Sequence, residues 1–171
     1  MKYSTKIILA LLTISLVVIG LIVYSNDRQN RLNQALFTAA VANDTAAIES
    51  LINQGADVNA REAQFSSTAL HFASAQGSKN AAKQLLDQGA DANAKDKRGV
   101  TSLMSAAKSG HAPTVRLLLS RGANTQLKDS RGKTALDEAV RFQSFYQRSP
   151  SSLRLTENPD YGETVHLLQQ K

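Results

Sequence analysis

The stretch Thr68-Ala69-Leu70-His71-Phe72-Ala73-Ser74-Ala75-Gln76-Gly77-Ser78-Lys79-Asn80-Ala81-Ala82-Lys83-Gln84-Leu85-Leu86-Asp87-Gln88-Gly89-Ala90-Asp91-Ala92-Asn93-Ala94 reads as two helices separated by a glycine turn. A second glycine ends the pair, and an extended finger begins. Variants of this pattern lie on both sides. Leu36, Leu70, Leu103 and Leu136 hold the same place in successive copies, 34, 33 and 33 residues apart. A fixed period of this length marks a stacked repeat protein, in which each unit buries its apolar face only against its neighbours.

Local chemistry supports the same reading. Thr68, Thr101 and Thr134 each precede a helix, where a hydroxyl can accept from the free N–H groups of the first turn. Ala73, Ala106 and Ala107 are small, good helix formers that let the next layer approach closely. Ile48, Leu51 and Ile52, then Leu85 and Leu86, then Val115, Leu117 and Leu118, give the second helices apolar stripes at helical spacing. Gly55, Gly89 and Gly122 suit the left-handed conformation that ends a helix.

Thr68-Ala69-Leu70-His71 followed by Gly77, Leu85-Leu86 and Gly89-Ala90-Asp91 resembles the ankyrin repeat, and Thr101 to Ala123 matches it a second time. The resemblance implies an all-α solenoid of about four repeats, each a helix-turn-helix with a β-hairpin finger. The repeats are expected at about 34–60, 61–94, 95–127 and 128–171. It also implies a binding module whose concave face is built from finger tips and first helices. The family's histidine is present only at His71, with Met104 and Asp137 in its place in the next two copies. The family's proline is replaced by Ala69, Ser102 and Ala135. These departures imply lower intrinsic stability on the same fold. The first copy has no preceding finger and is expected to act as a cap; Asn43-Asp44 replaces its inter-helix glycine. Asn43-Asp44-Thr45 also fits a glycosylation acceptor, but falls between two packed helices.

Length, 171 residues, bounds the chain to one domain or one domain plus an appendage. The net charge of +6 is unevenly placed: residues 1–31 carry +3, and the remaining 16 basic and 13 acidic residues spread another +3 over 140 positions. That is too dilute for a nucleic-acid binder. With no cysteine, disulfides, zinc–cysteine sites and thiol catalysis are excluded.

Residues 7–23 contain no charge and, as a helix, would span roughly 26 Å, close to the hydrocarbon thickness of a bilayer. Tyr3 and Tyr24 flank the run, where amphipathic rings prefer to sit. Two readings stand for residues 1–24: an uncleaved membrane anchor, favoured because 17 apolar residues exceed a signal-peptide core of about 7–15, or a removed signal peptide. Residues 25–33 form a polar linker to the repeats at 34–171. The weak charge asymmetry points the amino terminus to the cytoplasm. The expected location is therefore the inner membrane, single-pass, with the repeats in the bacterial periplasm; secretion to the periplasm after cleavage is the alternative.

The fourth copy is interrupted. Val115 lies 14 residues after Thr101, whereas Val165 lies 31 after Thr134, so about 17 residues are inserted at about 145–161. The insert holds the loop signals Ser149-Pro150-Ser151-Ser152 and Asn158-Pro159-Asp160. The second helix is expected to resume at Glu163. Phe142, Phe145, Tyr146 and Tyr161 cluster here with Arg141, Arg148 and Arg154, types enriched at interfaces. Phe142 and Phe145 are expected inward and Tyr146 or Tyr161 more exposed.

No catalytic constellation, phosphate-cradling loop or metal spacing is visible, and His71, His111 and His166 fall where the ankyrin pattern accepts histidine. The expectation is a non-enzyme without cofactor, metal, nucleic acid or small-molecule substrate, with an unidentified protein partner and the membrane as its two contacts. Candidate partner-binding residues are Phe65, Lys97, Arg98, Arg131, Tyr146, Arg148 and Tyr161. Phe65 lies on the first finger, which is one residue longer than the others and lacks their glycine. An exposed anchor and a ring folded back on the stack are both open for it. The basic tips from Lys95 to Val100 and Leu127 to Lys133 read either as a solvated surface or as a site for an acidic partner. Small exported ankyrin proteins further suggest an immunity-like inhibitor of a toxic envelope enzyme, or an accessory factor for an exported enzyme such as one in oxidative defence.

Overall fold

The computed structural model describes residues 2–148 and 159–170, with the side chains of residues 2–14 and 17 outside the description. Among the described residues the chain forms eight helices in four consecutive pairs: α1 (Lys2–Val41) with α2 (Thr45–Asn53), α3 (Ala69–Gln76) with α4 (Lys79–Asp87), α5 (Ser102–Ser109) with α6 (Ala112–Ser120), and α7 (Ala135–Arg148) with α8 (Tyr161–Gln169). The first helices α1, α3, α5 and α7 stack in one layer and α2, α4, α6 and α8 in a second.

The period explains the core. Leu36, Leu70 and Leu103 are at most 1% exposed, while Leu136 of the last repeat, with no further neighbour, is half-buried. Ala39, Ala73, Ala106 and Ala139 line the same layer where helices meet closely. Ile48, Leu85, Val115 and Leu118 fill the second layer. A Phe37–Phe72 ring pair, 5.6 Å between centroids, joins the first two repeats.

Helix ends follow the sequence closely. Gly55, Gly89 and Gly122 all take positive φ after the second helices, as expected. Asn43 adopts φ 57° where later repeats place glycine, and its Oδ1 accepts from the Ala81 N–H at 2.9 Å. The side chain is therefore committed to the next repeat. Thr101 and Thr134 accept from the backbone N–H three residues on; the Thr68 hydroxyl instead bonds the His71 ring.

The fingers are tight turns, with Lys95–Thr101 the only bridge pairing among the described residues, so the expected hairpins are reduced to their closing contacts. In the second finger, Asp96 Oδ1 accepts the Arg98 and Val100 N–H groups. Asp129 accepts those of Arg131 and Lys133 in the third. With the carboxylate serving as the turn's own acceptor, little extended pairing remains to be made.

At the amino terminus one helix carries the chain from Lys2 to Val41, about 60 Å. The linker at 25–33 is thus helical and continuous with the first repeat. Its side chains do what a preceding finger does elsewhere. Asn59 donates to Gly89 O and accepts from Asp91 N; Asn93 treats Gly122 O and Asn124 N alike. In the first repeat Gln29 donates to Gly55 O at 2.8 Å and Asn33 Oδ1 accepts from Asp57 N at 3.0 Å. Upstream, Leu16, Val18, Ile19, Leu21, Ile22, Val23 and Tyr24 are all exposed. Among the described residues no helix is long and apolar enough to cross a membrane. Residues 7–14 and 17 of the uncharged run carry side chains outside that set.

In the last repeat α7 is six residues longer than α5, taking up the start of the insert as helix. The loop signals at 149–152 and Asn158 lie outside the described residues, as does Arg154. The second helix begins at Tyr161, two residues before the expected Glu163, because the Asp160 carboxylate caps it by accepting from Glu163 N.

Candidate functional site

Phe65, Arg98 and Arg131 stand 33 residues apart, and the stack turns that spacing into a row along the finger tips. Adjacent tips are laced by backbone bonds: Lys97 N donates to Phe65 O and Ser130 N to Arg98 O, both 2.8 Å. The longer first finger uses Glu62 where the others use aspartate, its carboxylate accepting from Gln64 N and Phe65 N. Those two bonds hold the Glu62 carboxyl below its usual range. Ser66 takes φ 57°, the role of Gly99 and Gly132 in the later fingers.

Phe65 is 44% exposed, with the Arg98 guanidinium 5.5 Å from its ring centroid. It is neither a free anchor nor folded into the stack: a cation lies over the ring and less than half of the residue meets solvent. Lys97 bends back to donate to Ala63 O and Gln64 O, fastening the long tip. Arg98 pairs with Asp96, and Arg131 bonds both Asp129 and the nearly buried Glu138 at 2.6 Å. Burial pushes the Asp129 carboxyl up, but bonds from Lys133 and Arg131 outweigh it and leave the carboxyl below its usual range. Asp129, then Glu138, raise Arg131 in turn.

Behind this row lies a groove of about 430 Å³ between the second and third fingers and helices α5 and α7, lined by Arg98, Val100, Met104, Lys108, Arg131 and Arg141 among others. Its far lip is cationic. Lys108 Nζ and Arg141 Cζ lie 5.3 Å and 5.4 Å from the centroid of the Phe142 ring. Lys108 and Arg141 are also 33 residues apart, so the period could have paired them. Sequence reasoning missed the pair because it treated fingers and insert as separate features.

The insert's aromatics are arranged differently from expectation. Of the two tyrosines, Tyr146 is half-buried and Tyr161 is the buried one: its hydroxyl donates to Lys108 O at 2.9 Å, and its ring sits against Gly110. Burial, and then the neighbouring Tyr146, raise its pKa. Phe145, expected inward, is 68% exposed. The Tyr146 and Tyr161 rings meet at a tilt, 6.0 Å between centroids. Arg148, at the end of α7, is exposed. The structure therefore brings Phe65, Arg98 and Arg131 into one row and pairs Tyr146 with Tyr161.

His71 and His111 join neighbouring repeats, while His166 is exposed and pairs with Gln170 on its own helix. His71 Nδ1 takes the Thr68 N–H and hydroxyl, while Nε2 bonds Val100 O at 3.0 Å. His111 bonds Ala75 O. Asp137 reproduces the Thr68–His71 arrangement with its carboxylate, accepting from Thr134 N and Oγ1. Among the described residues no group of three or more histidine, aspartate or glutamate side chains is placed to hold a metal ion.

A family model described as ankyrin repeats (3 copies) matches residues 7–96 and 70–147, well over half of the chain. No curated protein matches it.

Proposed function

The chain belongs to the ankyrin-repeat family, and on that premise we propose that it is a membrane-tethered, non-enzymatic module that holds a protein partner on the periplasmic side of the inner membrane. Ankyrin domains are typically binding modules, which supports the protein–protein part of the reading. The observation that carries it is the row Phe65–Arg98–Arg131, laced in register beside an open groove. A half-exposed ring next to guanidinium groups is the side-chain mixture that interfaces favour.

The tether rests on the uncharged run at 7–23 and on the exposed apolar side chains of Leu16, Val18, Ile19, Leu21, Ile22 and Val23. A helix apolar on all sides suits lipid better than water. Cell fractionation tests it directly. The full chain should stay with membranes after alkaline extraction, and protease added from the periplasmic side should remove the repeats. Release into the soluble fraction would argue for cleavage, and protection of the repeats would reverse the orientation. For the binding surface, Phe65→Ala with Arg98→Ala should reduce crosslinking to the partner; an unchanged yield would move the surface elsewhere.

A further inference from the structure

The groove carries more positive charge than the fold uses. Its acids are already engaged: Asp129 by two backbone N–H groups and Arg131, and Glu138 by Arg131 at 2.6 Å. Arg98 and Arg131 spend their Nε and Nη2 atoms on Asp96 and Asp129, leaving Nη1 of each without an acceptor among the described residues. Arg141 reaches Glu138 only at 3.9 Å, and Lys108 makes no ion pair among the described residues; what they share is the Phe142 ring between them. Arg98, Lys108, Arg131 and Arg141 line the groove with Asp129 and Glu138, and Asp96 pairs with Arg98 from outside the lining, which leaves an excess of one cation, on the Lys108–Arg141 lip.

We propose that this groove receives an extended acidic segment of the protein partner, its carboxylates meeting Lys108 and Arg141 at one lip and the Nη1 edges of Arg98 and Arg131 at the other. The inference rests on the protein-binding reading above and adds its chemistry. Guanidinium edges match carboxylates in geometry as well as charge. Val100 in the groove lining and the half-exposed Phe65 ring beside Arg98 offer apolar contact next to those charges. A lipid surface is too flat to enter a concave groove. The thin charge elsewhere gives a nucleic-acid backbone nothing to follow.

The test uses the full chain in zwitterionic micelles and a fluorescent peptide of alternating glutamate and leucine. Saturable binding is expected, weakened about tenfold or more by Lys108→Gln with Arg141→Gln and unchanged by Lys79→Gln on the distant α4. Both altered side chains are exposed, so the melting temperature should match that of the parent chain. Equal binding by the double variant overturns the proposal. So does equal binding of a lysine–leucine peptide, or preference for vesicles of anionic lipid or for inorganic phosphate. If the double variant still crosslinks the partner at full yield, only the groove chemistry falls; if no variant or parent chain crosslinks any protein, the binding-module reading falls with it.

Discussion

His71 Nε2 lies 3.0 Å from Val100 O, so a single ring joins the first helix of one repeat to the finger of the next. A carbonyl only accepts, which places the proton on Nε2 and leaves Nδ1 to accept from Thr68. Asp137 repeats the Thr contact without the second bond. Among the described residues no finger follows its repeat to offer a carbonyl.

That geometry fixes a pH dependence. Burial holds the His71 pKa below its usual ~6.5, despite opposing contributions from Val100 O and Asp96. Between the lowered value and ~6.5 the folded chain binds fewer protons than the unfolded one. Stability from this group is therefore full above ~6.5 and falls as pH drops through that window. The denaturant midpoint should decrease between about pH 7.5 and about pH 5, and His71→Gln should start lower and show a flatter slope over the same range.

Ser66 sits at φ 57° in the first finger, where the later fingers have Gly99 and Gly132. An L side chain is strained there and glycine is not. Ser66→Gly is expected to raise stability by about 0.5–1 kcal/mol without moving Phe65. Thermal unfolding measures the first, and the environment of the Phe65 ring by NMR the second.

Gly110 and Gly122 both have positive φ but different surroundings. A Cβ on Gly110 would lie 2.6 Å from Pro159 Cβ and 3.2 Å from the Tyr161 ring, while one on Gly122 would meet nothing within 4 Å. Tyr161 is held by its bond to Lys108 O and Asp160 by its bond to Gly110 O, so neither yields easily. Gly122→Ala should cost about 1 kcal/mol, from backbone conformation alone, and Gly110→Ala about 3 kcal/mol as α8 is pushed away. Increased amide exchange in α8 for Gly110→Ala only would mark the difference.

Gln29 and Asn33 stand in for an absent finger. Replacing both with alanine removes the bonds to Gly55 O and Asp57 N and is expected to cost about 1–2 kcal/mol, because those backbone groups then rely on water. The Asp57 amide should lose exchange protection while the core amides of α5 keep theirs. If Asp57 stays protected, the linker helix is not acting as a cap.

The sequence alone determined the repeat and its period, because each repeat's helices, caps and glycine stops are local chemistry that recurs in register. Leu36, Leu70, Leu103 and Leu136 needed only counting, and so did the gap between Thr134 and Val165. It also identified Phe65, Arg98 and Arg131 one at a time as candidates. The tertiary structure alone decided which of them meet. It set Phe65 under Arg98, brought Lys108 beside Arg141 and Phe142, turned Tyr161 inward onto Lys108 and made Gln29 and Asn33 a substitute finger. Those relationships join residues up to 53 positions apart, and they depend on how one layer sits on the next. Stacking converts a 33-residue interval into contact, and which neighbour fills that contact is settled by packing, charge and backbone acceptors that no single repeat contains.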